Sequence, residues 1–200
     1  MLEEYQTGQE ASCLITSSGM SAIRTVVDEF LHPDCPDKPK PRNFVATSQV
    51  YGGTFQLFSV RKDKESKVQW RKVINSADII EWESLIDENT CFLYGEMPSN
   101  PSLGFFDLEK VSALAHKHGI PMIVDATVAT PALMRPLAHG ADIVIHSVTK
   151  SLHCSGFGVA GAIIARKNIP AKVCNDELKA DFCTYLKLLP GRDYGPNLSP

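Results

Sequence analysis

Short, continuously apolar segments alternate with longer stretches in which apolar residues recur every three or four positions. The first pattern is typical of strands buried on both faces of a parallel sheet, and the second is typical of amphipathic helices. The pattern predicts seven strands, at residues 13–16, 43–47, 68–73, 91–95, 121–125, 142–148 and 159–165. It predicts helices at residues 21–31, 54–58, 79–86, 108–118 and 131–139. These elements predict an α/β fold with a doubly wound, mostly parallel seven-stranded sheet.

Three polar segments interrupt this alternation. Residues 32–41 contain four prolines, and residues 189–200 are rich in turn-forming residues, so both are predicted to be loops. Residues 61–65 carry charges of both signs and are predicted to form a solvated loop. None of these segments has the length or composition of a linker between two cores. We therefore expect residues 1–200 to form a single domain.

Composition narrows the class of protein. The 200 residues carry a formal net charge of −3 and are 44% hydrophobic, which is typical of a globular domain and argues against a nucleic-acid-binding protein. No apolar run reaches the ~18–20 residues that cross a bilayer, so no membrane partner is expected. The six cysteines include no Cys-x-x-Cys pair, which argues against a disulfide framework or a metal site. We expect a reducing, cytoplasmic setting.

Two polar residues follow apolar strands at the ends where α/β sheets bind ligands. Lys150 is flanked by Ser147, Thr149 and Ser151, and it is either a solvated strand-end lysine or an amine activated by desolvation. Asp125 is either a cap of the following helix or a buried anion that keeps a pyridinium nitrogen protonated. An acidic strand end, a lysine at the next strand end and neighbouring hydroxyls together predict a pyridoxal-phosphate pocket.

The first strand leads into a turn that is suited to a phosphate group. Gly19 allows a close backbone approach, and the helix that begins near Ser21 directs free amides and a positive dipole end toward an anion. The same turn is also compatible with a plain helix cap. No Gly-x-Gly-x-x-Gly follows the first strand, which argues against a dinucleotide-binding Rossmann domain.

Five separated motifs resemble one enzyme family. They are Ser-Gly-Met-Ser-Ala-Ile at 18–23, Tyr-Gly-Gly-Thr at 51–54, Glu-Met-Pro-Ser-Asn-Pro at 96–101, Val-Asp at 124–125 and His-Ser-Val-Thr-Lys at 146–150. Their order and spacing resemble the Cys/Met metabolism family of pyridoxal-phosphate enzymes, which includes cystathionine γ-synthases, cystathionine γ-lyases and O-acetylhomoserine sulfhydrylases. The resemblance implies the large domain of a fold-type-I pyridoxal-phosphate transferase.

The resemblance also implies roles for individual residues. Lys150 and Tyr51 would be catalytic, with Lys150 bonded covalently to the cofactor and moving protons between substrate carbons, and Tyr51 stacked on the cofactor ring. Asp125 would pair with the pyridine nitrogen, and Asn100 would hydrogen-bond the phenolic oxygen. The implied cofactor-binding set is Ser18, Gly19, Met20, Tyr51, Asn100, Asp125, Thr127, Ser147, Thr149 and Lys150.

Some positions depart from the family pattern. Ala126 stands where members often carry asparagine, Gly53 stands where methionine γ-lyases commonly carry cysteine, and the segment after Lys150 lacks the usual tyrosine. The particular branch of the family is therefore left open. The N-terminal arm and the C-terminal domain of the family find no counterpart, so we expect residues 1–200 to be a partial large domain.

The expected reaction is elimination or replacement at the γ or β carbon of a sulfur amino acid or an activated homoserine ester. Its substrate would be a small amino acid, and the protein would be a homo-oligomer, either a dimer or a tetramer. Two alternatives remain open from the sequence. One is another fold-type-I pyridoxal-phosphate enzyme, such as an aminotransferase or a cysteine desulfurase, and the other is a catalytically incomplete α/β interaction module.

Overall fold

Seven strands form one sheet in the computed structural model, which describes residues 10–31, 42–61, 68–154, 158–172 and 175–188. The strands are β1 (Ala11–Thr16), β2 (Asn43–Thr47), β3 (Gln69–Val73), β4 (Thr90–Glu96), β5 (Met122–Asp125), β6 (Ile143–Ser147) and β7 (Gly161–Arg166). Their spatial order is β1-β7-β6-β5-β4-β2-β3. β7 is antiparallel to β1 and to β6, and the remaining pairs are parallel. The predicted seven-stranded, mostly parallel sheet is confirmed.

The helices of the described residues lie between consecutive strands or, for the last two, after β7. They are α1 (Gly19–Leu31), α2 (Gly52–Arg61), α3 (Ile79–Ser84), α4 (Leu108–Lys117), α5 (Thr130–Leu133), α6 (Asp176–Ala180) and α7 (Phe182–Leu188), together with a 3-10 helix at Pro136–His139. The first four predicted helices are confirmed, with α2 longer than expected. The α6 and α7 helices were not predicted. The predicted loops at 32–41 and 189–200, and residues 62–65 of the charged segment, lie outside the described residues.

The prediction of one helix over residues 131–139 is wrong. The chain forms the short α5 and then a separate 3-10 helix, because Pro136 has no N–H and disfavours a helical conformation at the residue before it. Arg135 is accordingly outside the helical region, and Met134 before it is extended. Gly140 ends the 3-10 helix with a left-handed φ of 93°. The strand predicted at 159–165 also starts later, at Gly161.

Alternate strand residues enter two separate cores, as the twofold side-chain period of a strand requires. One core contains Phe44, Tyr94, Ile123 and Ile145 with residues of α1, and the other contains Val45, Leu93, Val124 and Val144 with residues of α4. The sheet is therefore covered by helices on both faces. This explains why its strands read as continuous apolar runs, and it confirms the doubly wound architecture.

The pairing pattern brings the carboxyl ends of six strands to one edge of the sheet, and those of β1, β4, β5 and β6 are among them. β4, β5 and β6 are parallel, and β1 has the same direction because the antiparallel β7 separates it from β6. Their last residues are Thr16, Glu96, Asp125 and Ser147. Thr16 and Asp125 also end the predicted strands, whereas the strands that end at Glu96 and Ser147 were predicted to end at residues 95 and 148. The fold makes the four residues neighbours.

Candidate active site

A cavity of about 490 Å³ opens beyond these carboxyl ends. A volume of this size is typical of small-molecule sites. Its lining consists of Ser18, Gly19, Met20, Ile23, Tyr51, Glu96, Asn100, Asp125, Thr127, Val128, Ser147, Thr149, Lys150, Ser151 and Val159. All ten residues predicted to bind a cofactor are therefore on the wall of one cavity.

The start of α1 forms one end of the cavity. The Ser18 hydroxyl accepts a hydrogen bond from the Ser21 N–H at 3.0 Å and so caps the helix, while the Thr16 hydroxyl donates to the Ser18 carbonyl at 2.9 Å. The amides of Gly19 and Met20 belong to the first turn, where N–H groups have no partner within the helix. They give this end of the cavity the donors and the positive dipole end that bind an anion.

Gly19 is required where α1 meets the end of β6. A Cβ placed at Gly19 would lie 2.7 Å from the Cβ of Ser147, which is closer than side-chain carbons pack. The absence of a side chain therefore lets the helix start lie directly against the strand that precedes Lys150. The close approach seen at Gly19 is thus to the end of β6, and the predicted approach to a phosphate stays a prediction.

Asp125, Thr127 and Ser147 form a hydrogen-bonded group on the cavity floor. The Thr127 hydroxyl donates to Asp125 Oδ1 at 2.6 Å and accepts from the Ser147 N–H at 2.8 Å, and the Thr127 N–H also donates to Asp125 Oδ1. Asp125 does not cap α5, because that helix begins without a side-chain cap. Thr127 therefore joins the ends of β5 and β6 and orients the Asp125 carboxylate.

Burial raises the pKa of Asp125, and the hydrogen bonds from Thr127 oppose this rise. The Tyr94 hydroxyl lies in the interior near the same carboxylate, and burial followed by the charge of Asp125 raises its pKa as well. A buried carboxylate of this kind is the partner that a protonated ring nitrogen needs. A protonated ring nitrogen at this position would pair with the Asp125 carboxylate and offset the cost of burying its negative charge.

Lys150 lies at the rim of the cavity. The sequence left open whether Lys150 is solvated or desolvated; β6 ends at Ser147, and the following turn carries Lys150 to an exposed position. Thr149 is part of that turn, where its hydroxyl donates to the Ala160 carbonyl at 3.1 Å and accepts from the Ala160 N–H at 3.0 Å. Its hydroxyl hydrogen is therefore directed to the backbone of Ala160 in this structure.

Tyr51 and Asn100 come from separate loops and face the same cavity. Tyr51 precedes α2, and Asn100 belongs to the loop after β4. Glu96 joins them: its Oε2 accepts from the Tyr51 N–H at 2.7 Å, and its Oε1 accepts from the Asn100 N–H at 2.8 Å. Glu96 is the first residue of the motif at 96–101, but the sequence alone indicated no role for it.

Burial raises the pKa of Glu96 to about 7; the nearby Asp125 charge also raises it, whereas the two backbone N–H donors lower it. A signal for this residue was present in the sequence, because Glu96 follows a continuous apolar strand just as Asp125 does. What the sequence lacked was its partner, since Tyr51 is 45 positions away.

Other possible ligands are sparse in the described part of the chain. Within it, no three His, Cys, Asp or Glu side chains are grouped as a metal site would require. The described cysteines, Cys13, Cys91, Cys154 and Cys183, are free thiols. No helix among the described residues has the length and apolar character needed to cross a membrane.

The cavity therefore fits pyridoxal phosphate in three respects. The first turn of α1 offers unpartnered amides to a phosphate, Asp125 offers a buried carboxylate to a ring nitrogen, and Lys150 offers an amine to an aldehyde. The fold and the site together define a fold-type-I pyridoxal-phosphate domain. Comparison with known proteins leads to a more specific assignment.

The sequence profile of the family described as "Cys/Met metabolism PLP-dependent enzyme" matches residues 3–200. The chain belongs to this family. The chain is 38% identical over 152 residues to the cystathionine gamma-synthase of Haemophilus influenzae, covering 75% of this chain and 38% of that protein. It is 34% identical over 210 aligned residues to the homocysteine/cysteine synthase of Kluyveromyces lactis, covering 94% of this chain and 45% of that protein.

Solved structures agree with this assignment. The crystal structure of metB from Corynebacterium glutamicum superposes with a TM-score of 0.80 and 28% identity, covering 99% of this chain and 46% of that one. The chain thus spans less than half the length of each of these proteins. Family membership decides against the aminotransferase and cysteine desulfurase alternatives.

Proposed function

We propose that residues 1–200 form the pyridoxal-phosphate-binding large domain of a trans-sulfuration enzyme. Its reaction would be elimination or replacement at the γ or β carbon of a sulfur amino acid or an activated homoserine ester. The supporting observation is that the α1 amides, Asp125 and Lys150 line one cavity at the carboxyl edge of the sheet. The names of the relatives, a cystathionine gamma-synthase and a homocysteine/cysteine synthase, support the same reaction class.

Four parts of the cavity have a task in this proposal. When bound, pyridoxal phosphate supplies an electron-accepting ring that stabilises negative charge on substrate carbons. The α1 amides bind the phosphate, and Asp125, oriented by Thr127, keeps the ring nitrogen protonated. The Lys150 amine carries protons between substrate carbons, and the Tyr51 hydroxyl is a second acid–base group beside them.

We also propose that the protein assembles as a homo-oligomer, either a dimer or a tetramer. An amino-acid substrate carries a carboxylate, which proteins usually bind with arginine or lysine. Among the described residues that line the cavity, Lys150 is the one cationic side chain, and it is assigned to the cofactor. The resemblance implies active sites that form between subunits, so a second copy is expected to complete the site. Light scattering of the purified protein is expected to give at least twice the monomer mass of 22.0 kDa.

The free thiols at four described cysteines support a reducing, cytoplasmic location. Fractionation of the source cells with an antibody against the chain would test this. Recovery of the protein with the oxidising compartment, or in a disulfide-linked form, would contradict it.

The decisive experiment tests Lys150. The full chain is incubated with pyridoxal phosphate, reduced with borohydride, digested and examined by mass spectrometry. We expect a visible absorbance band before reduction and the cofactor mass on Lys150 afterwards, and we expect both to disappear in Lys150→Ala. Lys110→Ala is the matched control, because Lys110 is an exposed lysine on α4 outside the cavity lining.

Three outcomes are distinguishable. Loss of the band in Lys150→Ala alone supports the proposal. Modification of a different lysine would contradict the assigned site. A wild-type chain that forms no band would favour the catalytically incomplete interaction module. Turnover of cystathionine, methionine and O-acetylhomoserine by the oligomer would then separate elimination from replacement.

A further inference from the structure

We propose that Glu96 is a positioning residue that fixes Tyr51 and Asn100 against the cofactor by holding their backbones. This inference rests on the proposed pyridoxal-phosphate function and adds a residue to which the family resemblance gave no role. Glu96 would act through two other residues and would not touch the reacting atoms.

The geometry that carries the inference is a double hydrogen bond from one carboxylate. Glu96 ends the rigid β4 strand and is only 4% exposed. Its two oxygens accept separately from the Tyr51 N–H at 2.7 Å and from the Asn100 N–H at 2.8 Å. Hydrogen bonds to an ionised acceptor are about twice as strong as neutral ones. A single side chain on a central strand thus sets the position of two loops.

The two loops depend on this anchor because their side chains are poorly packed. Tyr51 is 47% exposed and Asn100 is also exposed, so neighbouring side chains do little to fix either residue. A flat ring and an amide recognise a planar ligand only if they are held at a defined distance and angle. The backbone bonds to Glu96 supply that constraint before any ligand binds.

The use of both oxygens also explains why Glu96 is a positioning residue. A general acid or base needs an oxygen that is free to exchange a proton with the substrate. Here each Glu96 oxygen is directed to a backbone N–H. On the adjacent strand, Asp125 pairs in register with Glu96 and directs its Oδ1 to Thr127. Two neighbouring carboxylates therefore have different tasks, one toward the loops and one toward the cavity floor.

The chain contains a matched control for this arrangement. Glu81 accepts a hydrogen bond from the Ile74 N–H at 2.7 Å and another from the Asn75 N–H at 2.8 Å. Its carboxylate thus binds two backbone amides, as that of Glu96 does. Neither Glu81 nor its two partners lines the cavity that contains Lys150 and Asp125. Replacing Glu81 therefore removes an equivalent contact without affecting the proposed site.

The test compares Glu96→Gln, Glu96→Ala, Glu81→Gln and Glu81→Ala in the full chain. Glutamine retains one acceptor oxygen and alanine retains none. In an absorbance titration with pyridoxal phosphate, we expect Glu96→Ala to raise Kd roughly 10- to 100-fold and Glu96→Gln to raise it less, as for other supporting groups behind a ligand site. Both Glu81 variants should bind with the wild-type Kd.

Amide exchange gives a second measurement that does not depend on the cofactor. In the cofactor-free protein, Glu96→Ala should increase the hydrogen-exchange rates of the Tyr51 and Asn100 amides, and the Glu81 variants should leave those two rates unchanged. If Glu96→Ala does not fold, Glu96→Gln provides both readouts.

Unchanged Kd and unchanged exchange at both amides in the Glu96 variants would overturn the inference. A loss of thermal stability with wild-type Kd would also overturn it, because that result describes a purely structural carboxylate. If the wild-type chain itself does not bind pyridoxal phosphate, the proposed function fails first, and the inference fails with it.

Discussion

At the scale of single residues, the site is built by polar side chains that bind backbone or one another before they meet a ligand. Ser18 caps α1, Thr127 joins Asp125 to Ser147, and Thr149 pairs with Ala160. These contacts fix the directions of the remaining donors and acceptors. The cavity is therefore preorganised by the folded chain, which lowers the entropic cost of binding.

Gly19 gives a direct test of this preorganisation. Gly19→Ala would place a Cβ 2.7 Å from Ser147 Cβ and 3.0 Å from Ser147 Cα, so either α1 or the end of β6 must shift. We expect a loss of about 1–3 kcal/mol in the free energy of unfolding, as for other overpacked sites, and weaker pyridoxal-phosphate binding. Urea denaturation and absorbance titration measure the two effects.

Gly52→Ala is the matched control for this substitution. Gly52 lies in the first turn of α2, and no atom lies within 4 Å of its added Cβ. Alanine there should leave stability unchanged or raise it by less than about 1 kcal/mol. Equal losses in both variants would show that the effect comes from glycine replacement in general and not from the contact with Ser147.

At the scale of elements, the edge of the sheet opposite the cavity holds the strands together. Asp142, immediately before β6, is fully buried and accepts from the Met122 N–H at 2.7 Å. It also pairs with His116 of α4 and Arg166 of β7. One carboxylate thus connects three strands and a helix. It lies at the amino end of β6, whereas the cavity lies at the carboxyl end.

Asp142→Asn should therefore separate stability from binding. The substitution removes the negative charge that Arg166 and His116 face, and breaking a buried pair typically costs about 3–5 kcal/mol. We expect that loss in urea denaturation, with an unchanged Kd for pyridoxal phosphate under folding conditions. The exposed pair between Glu109 and His139 is the control, since Glu109→Gln should cost less than about 1 kcal/mol. A large rise in Kd for Asp142→Asn would contradict this separation.

At the scale of the whole molecule, stability depends on pH through two buried groups whose pKa values are shifted in opposite directions. Burial raises the pKa of Glu96 to about 7 and lowers the pKa of His146 to about 4. Glu96 holds its proton longer when folded, so its contribution falls as pH rises from about 4.5 to 7. In the folded protein His146 binds its proton only at lower pH than in the unfolded chain. Its contribution to stability therefore falls as pH drops from about 6.5 to 4. The raised pKa of Asp125 acts in the same direction as that of Glu96.

The Glu96→Gln variant should separate the pH dependence that Glu96 contributes from the one that His146 contributes. Without Glu96, the free energy of unfolding should rise more steeply with pH between about 4.5 and 6.5, and the decline that Glu96 causes up to about pH 7 should disappear. The difference between wild type and variant should change by roughly 2–3 kcal/mol between these limits. Urea denaturation at several pH values measures it. A difference that is constant with pH would contradict the assignment.

The sequence predicted much of this molecule because the strongest signals are local. Apolar segments, most of them continuous, identified all seven strands, and positions at or just after the predicted strand ends pointed to Asp125 and Lys150. The order of the strands was not predictable, because it depends on pairings between distant segments such as β1 and β7. The role of Glu96 was missed for the same reason, and the choice between a solvated and a desolvated Lys150 could not be made from the sequence. The first needs a partner 45 residues away, and the second depends on where β6 ends.

The pairing of β1 has a consequence for the order in which the molecule folds. β1 lies at the edge of the sheet, and β7 is its one strand partner in the described structure. During synthesis, residues 11–16 therefore have no strand to join until residues 161–166 have emerged. The turn at Ser18 and Gly19, which we propose binds phosphate, is therefore synthesised well before the strand that holds β1 in place. Contacts between such distant segments slow folding. A nascent chain arrested before β7 should therefore not yet bind pyridoxal phosphate, although Lys150 and Asp125 are already present.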